Sequence, residues 1–134
     1  MKTLLFASLL LLVACESPVG SENDLTFRIL PAEKTIVVQK VFDFIDYQQW
    51  EVDRHSDNLI STTYQYWIEG KTNFSPDSRM RAFFFIEPTT DITTKLSIRM
   101  SLERLNGDRW IRYQYPESQV ESVFDRISKS LYAH

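Results

Sequence analysis

The feature that most constrains this chain is a run of strict two-residue alternation. Ile92, Thr94, Leu96, Ile98, Met100 and Leu102 are set against Thr93, Lys95, Ser97, Arg99, Ser101 and Glu103. An extended strand with one face packed and the other wet has that period. Parallel strands covered on both sides read instead as continuous apolar runs, so the sheet is expected to be antiparallel. Arg79, Arg81, Phe83 and Phe85 alternate in the same way with Met80, Ala82, Phe84 and Ile86. A third stretch sets Ile60, Thr62, Tyr64, Tyr66 and Ile68 against Ser61, Thr63, Gln65 and Trp67. Asn106-Gly107 is a strong hairpin signal and turns the chain into Trp110–Tyr115. Connections are expected at 69–78 and 87–91, which hold Gly70, Pro76 and Pro88.

Two segments change period from 2 to 3.6. Between Ala32 and about Tyr47, Val37, Val38, Val41, Phe42, Phe44 and Ile45 share one arc of about 160°, with Asp43 and Asp46 opposite. Pro31 suits the first turn of that helix. Its valines are weak helix formers, so the helix must depend on packing. At the end of the chain Val120, Val123, Phe124, Ile127 and Leu131 form a narrow apolar stripe. Ser118 and Glu121 have the spacing of a capping box. A short strand, Leu25 to Ile29, precedes the first helix.

The expected fold is therefore α+β, in the order β-α-β-β-β-β-α. Four to five antiparallel strands would carry both helices on one face, because alternation leaves only one face apolar. A length of 134 residues supports one domain. Three scattered glycines cannot build a phosphate-binding loop, and a single cysteine excludes a disulfide framework or a CxxC site. The formal net charge of −3 gives no general attraction to nucleic acid.

The first 15 residues read MKTLLFASLLLLVAC. Lys2 supplies a positive start and Leu4 to Val13 an apolar core that is too short to span a membrane. Leu12-Val13-Ala14-Cys15 resembles the lipobox of bacterial lipoproteins. The resemblance implies a signal peptide over 1–14, removal before Cys15, and acylation of Cys15, anchoring the chain in a lipid bilayer. Two or more acyl chains anchor stably, where one does so only marginally. Residues 15–24 then form a lipidated cysteine and polar tether, and 25–134 the folded domain. Glu16, in place of the Asp that retains enterobacterial lipoproteins at the inner membrane, implies an outer-membrane lipoprotein facing the periplasm; the outer face of the cytoplasmic membrane is the alternative.

The mature chain also resembles BamC-type helix-grip outer-membrane lipoproteins. A helix ending near Trp50 is followed by a polar stretch, then Ile60-x-Thr62-x-Tyr64 and further strands before a terminal helix. Gln49 stands where the resemblance expects glycine, and there is one domain where that family has two. The resemblance implies a helix-grip fold and an envelope address.

Candidate chemistry is sparse. Asp53-Arg54-His55-Ser56-Asp57 collects the residue types of a hydrolytic triad, yet triad members converge from separate elements, and no G-x-S-x-G elbow exists. A polar turn explains the stretch better. His134 ends the chain. The acidic pairs Asp43/Asp46, Glu51/Asp53 and Glu87/Asp91 are too thin for a calcium loop. No catalytic residue, metal site or cofactor is expected. The notable set is the wet sheet face, where alternation collects Trp67, Arg79, Arg81, Phe83, Phe85, Lys95 and Arg99. Interleaved Arg and aromatic side chains are enriched at interfaces, although the same pairs can simply stabilise a sheet. The leading expectation is a non-enzymatic envelope interaction or assembly module with a protein partner and no nucleic acid. The alternative is a periplasmic small-ligand-binding or regulatory domain. Bulky Phe42, Phe44, Tyr64, Phe84 and Phe124 favour a filled core over an internal cavity.

Overall fold

The computed structural model describes residues 26–70, 72 and 75–132. The lipobox with Cys15, the tether and His134 lie outside the described residues. The element order is β1 (Thr26–Leu30), α1 (Lys34–Tyr47), β2 (Val52–His55), β3 (Leu59–Thr62), β4 (Gln65–Tyr66), β5 (Ser78–Thr90), β6 (Thr93–Asn106), β7 (Arg109–Gln114) and α2 (Glu117–Ser130). The fold is α+β, with one open antiparallel sheet and both helices on one face. The sheet has seven strands rather than four or five, because the short polar β2 carries little hydrophobic signal and the strand expected over 60–68 is split into β3 and β4.

The long hairpin of β5 and β6 is the frame. It stays paired from Ser78↔Arg104 to Thr90↔Thr93, so the expected loop at 87–91 is mostly strand, with a register shift near Pro88. Pro88 is tolerated where the ladder is already irregular. On the free edge of β6, β1 pairs beside 94–98 and β7 beside 101–106. On the free edge of β5, β3 pairs beside 83–85 and β4 beside 79–80. Met80, Ala82, Phe84 and Ile86 of β5 and Leu96, Ile98 and Met100 of β6 are buried beneath the helices, as alternation requires.

Helix α1 lays Val37, Val41, Phe44 and Ile45 on that surface, and α2 adds Val120, Val123, Phe124 and Ile127. Each such side chain, fully buried, contributes about 1.5–3 kcal/mol of transfer free energy. Pro31 lies ahead of α1 rather than in its first turn, since Glu33 is the N-cap. The Thr94 hydroxyl donates to the Ala32 carbonyl at 2.7 Å and ties this connection to β6. The expected capping box is not formed. Pro116 precedes α2 without a side-chain cap bond. Glu121 instead pairs with Arg28 of β1, whose guanidinium also reaches Asp125 at 2.9 Å and lies 5.0 Å from the Phe124 ring centroid. A charged partner from another element outcompetes the local backbone amide. His55 ends β2 and packs edge-on against Phe42 at 5.0 Å, with the polar turn following at Ser56.

Helix α1 closes in a Schellman motif. The Gln49 N–H donates to the Asp46 carbonyl and the Trp50 N–H to the Ile45 carbonyl, at 2.9 and 3.0 Å. Gln49 occupies the left-handed position with φ 63°. Glycine is the usual residue there, because a side chain at positive φ crowds the backbone.

Candidate functional site

The uncovered face of the sheet is built by the other parity of the same strands. Arg79, Arg81, Phe83 and Phe85 of β5 stand beside Glu103, Ser101, Arg99 and Ser97 of β6. Along the outer edge of β6 the face is extended by Phe27 and Ile29 of β1 at one end and by Trp110 and Arg112 of β7 at the other end.

The aromatic and cationic side chains form a continuous ladder. The Arg79 guanidinium lies 3.8 Å from the Tyr64 ring centroid and 4.1 Å from that of Trp110, so it is held between two rings. Arg81 lies 5.3 Å from Tyr64 and 4.8 Å from Phe83. Arg99 follows at 4.8 Å from Phe83 and 5.9 Å from Phe85. Lys95 sits 4.5 Å from the Phe27 ring. Such contacts gain about 0.5–1 kcal/mol when exposed and about 2 when desolvated.

Two rungs are locked by carboxylates. Arg79 pairs with Glu103 at 2.6 Å, and both side chains are largely covered, 17% and 12% exposed. Arg81 pairs with Asp53 at 2.8 Å and donates through Nε to the Thr62 carbonyl at 3.0 Å. Burial opposes the Arg79 charge, yet hydrogen bonds to Tyr66 and Glu103 outweigh it and raise its proton affinity above the ordinary value. Arg99 shifts the opposite way. Burial lowers its proton affinity, and the like charge of Arg112 adds to the effect.

Six of the seven residues expected on this face are brought together: Arg79, Arg81, Phe83, Phe85, Lys95 and Arg99. Trp67 is not. Between Ser61↔Phe83 and Gln65↔Met80 the register advances by one residue, which exchanges the two faces. The Ala82 N–H there donates to the Thr62 hydroxyl at 3.0 Å, so a side chain replaces the ladder acceptor. Trp67 bonds through its N–H to the Ser78 carbonyl and falls on the parity of the helix side. The same shift moves Tyr64 out of its expected core position and onto the ladder. Phe83 and Phe85 are half-buried by their cations, so the exposed aliphatic and phenyl surface on this face lies mainly at Phe27 and Ile29, 53% and 52% exposed, while the exposed Tyr66 ring stands beside Arg79 at the other end.

Sequence reasoning missed Tyr64, Trp110, Asp53 and Glu103. Trp110 was within reach: a tight Asn106-Gly107 hairpin fixes Leu105 opposite Trp110, and Leu105 shares parity with Arg99. No sequence signal marks the shift at Thr62–Tyr64.

By register and ion pairing the face carries six cations (Arg54, Arg79, Arg81, Lys95, Arg99, Arg112) and three anions (Asp53, Glu87, Glu103), on a chain whose net charge is −3. Among the described residues, no three His, Cys, Asp or Glu side chains gather as a metal would require, and no helix is long and apolar enough to cross a membrane. The chain matches no family model and no curated protein.

Proposed function

We propose that this chain is a lipid-anchored envelope lipoprotein of the outer membrane whose domain acts, without catalysis, as an interaction or assembly module for a protein partner in the periplasm. The anchor in this reading is Cys15, from the lipobox pattern. The docking surface is the uncovered sheet face, and its occupant is an acidic segment of the partner. The observation carrying the reading is a concentration of positive charge and stacked aromatic rings on one face of an otherwise acidic chain. Guanidinium groups already held against rings lose little side-chain entropy on meeting carboxylates, and Arg with aromatics dominates interface energy. Rim positions such as Lys95 and Arg54 would speed encounter in a salt-dependent way.

The test is photocrosslinking in intact envelopes from a benzoylphenylalanine placed at Phe85 or, as a control, at Gln39 on the exposed side of α1. The expected result is a discrete protein adduct from position 85, none from position 39, and loss of the adduct when Lys95 and Arg99 are changed to serine. Equal labelling from both positions would refute the docking surface. Cys15→Ser should release the chain from membranes; retention after a high-salt wash would refute the anchor separately.

A further inference from the structure

A concave feature lies on the helix side of the sheet and meets the ladder only at Tyr66, which lines it and accepts from Arg79. It is a cleft of about 460 Å³ where the end of α1, strand β4 and the first half of α2 diverge over the ends of β5 and β6. Clefts of ~300–1,000 Å³ are the usual size for small-molecule sites. Its floor is apolar, made by Phe44, Met80, Met100 and Val123, all buried in the core. Its rim is polar, with Gln48, Gln49, Gln65, Gln119, Ser122 and Arg126. Among the described residues, no aspartate or glutamate lines it.

Three details make this more than an incomplete corner of the core. First, Arg126 is positioned: its guanidinium lies 5.9 Å from the Phe44 ring and 5.3 Å from the Tyr47 ring. Among the described residues no carboxylate pairs with it, in contrast to Arg28, Arg79 and Arg81. A cation set over rings at the mouth of a cleft whose described lining holds no carboxylate is a ready receptor for an anion. Second, the side-chain amides of Gln48 and Gln49 make no hydrogen bond to other described residues, although Gln48 is half-buried. An amide both donates and accepts, and so matches an amide or hydroxyl on a ligand. Third, Gln49 holds its place at φ 63°, where glycine would fit without strain. Strain kept at a cleft, where a side chain reaches the rim, points to a use for that side chain.

We propose that this cleft binds a small carboxylate that carries an amide and one apolar or aromatic group. The carboxylate meets Arg126, the amide meets the glutamine rim, and the apolar group covers Phe44, Met80 and Met100. This site is independent of the docking face proposed above, because the two lie on opposite sides of the sheet and share none of the residues tested.

N-acetylphenylalanine is the probe, and its uncharged amide, N-acetylphenylalaninamide, is the control. Both are titrated calorimetrically into the full chain held in lipid nanodiscs. The expected result is saturable one-to-one binding of the carboxylate, with the amide weaker by about tenfold or more, the ratio a charged hydrogen bond supplies. Arg126→Gln should bring the carboxylate down to the level of the amide while leaving the amide unchanged. Ser122→Trp, at an exposed rim position, should weaken both by filling the cleft. Changing Phe83 and Arg99 to serine should leave both affinities within about twofold, which separates failure of this site from failure of the docking face. If Arg126→Gln alters the circular dichroism spectrum, the two-probe comparison on the unaltered chain decides alone. Absence of saturable binding, or equal binding of the two probes, overturns the proposal.

Discussion

Replacing Arg79 with methionine separates the carboxylate-locked rungs of the ladder from the rung stacked on Phe83 and Phe85. The guanidinium has rings at 3.8 and 4.1 Å, together contributing about 1–3 kcal/mol in a half-buried site. Methionine retains the aliphatic packing and some sulfur–ring contact, so part of that is recovered. The larger loss falls on Glu103. Its side chain is only 12% exposed, and removing Arg79 strips it of its ion-pair partner, at a cost of about 1–3 kcal/mol. The expected sum is about 3 kcal/mol of destabilisation. Arg99→Met should cost under about 1 kcal/mol, since burial and Arg112 already oppose the charge it removes. Equilibrium urea unfolding followed by far-UV circular dichroism reads both values, with unchanged m-values marking a pure stability effect. A double variant, Arg79→Met with Glu103→Gln, should recover about 1 kcal/mol or more over the sum of the singles, because no ionised carboxylate is then stranded. If Arg79→Met and Arg99→Met prove equally mild, the 79–103 pair is ordinary surface pairing. The distinction on this face between carboxylate-locked rungs and rungs stacked on phenylalanine then fails.

Two further substitutions test local structure by the same unfolding assay. Gln49→Gly should stabilise the domain by about 1 kcal/mol, because it relieves a left-handed residue in the Schellman motif, while Gln49→Val should destabilise it. Ser118→Ala should change stability by under about 0.5 kcal/mol, since α2 has no side-chain cap bond, whereas Phe124→Asp should abolish folding by placing a carboxylate at a fully buried position.

Most of the architecture was legible because period 2 and period 3.6 each leave a residue-level trace. The β5–β6 hairpin, the buried stripe of α2 and the shared helix side followed from alternation alone. What was not legible was set by interactions between elements. Ser118-x-x-Glu121 has the right spacing for a capping box, but spacing is blind to Arg28, which approaches from β1 some 93 residues away in sequence. Likewise, residues 60–68 alternate without a visible break, yet the chain inserts one extra residue there against β5. The insertion depends on the Thr62 hydroxyl standing in for a backbone acceptor of Ala82. A threonine within a strand gives no warning that it will do so.

That single insertion also governs how the face should be understood. Had alternation held through Tyr64, its ring would lie under the helices, and Arg79 would have only Trp110 beside it. The ladder would then end at Arg81. With the shift, Tyr64 bridges Arg79 and Arg81, the two carboxylate-locked rungs, and Phe83 carries the ladder on to Arg99. The locked end holds its cations against Glu103 and Asp53. The other end, from Phe83 to Phe27, keeps its positive charge beside exposed apolar surface. A partner segment is therefore expected to contact Phe27, Ile29, Lys95 and Arg99 before it reaches Arg79. Serine at Lys95 and Arg99 should weaken docking by tenfold or more, about 1.4 kcal/mol or above. Serine at Phe27 and Ile29 should do the same, and neither pair should lower stability by more than about 1 kcal/mol. Photocrosslinking yield from position 85 measures the first effect and urea unfolding the second. A docking loss that tracks unfolding, variant by variant, would mean that the face serves only to hold the sheet together.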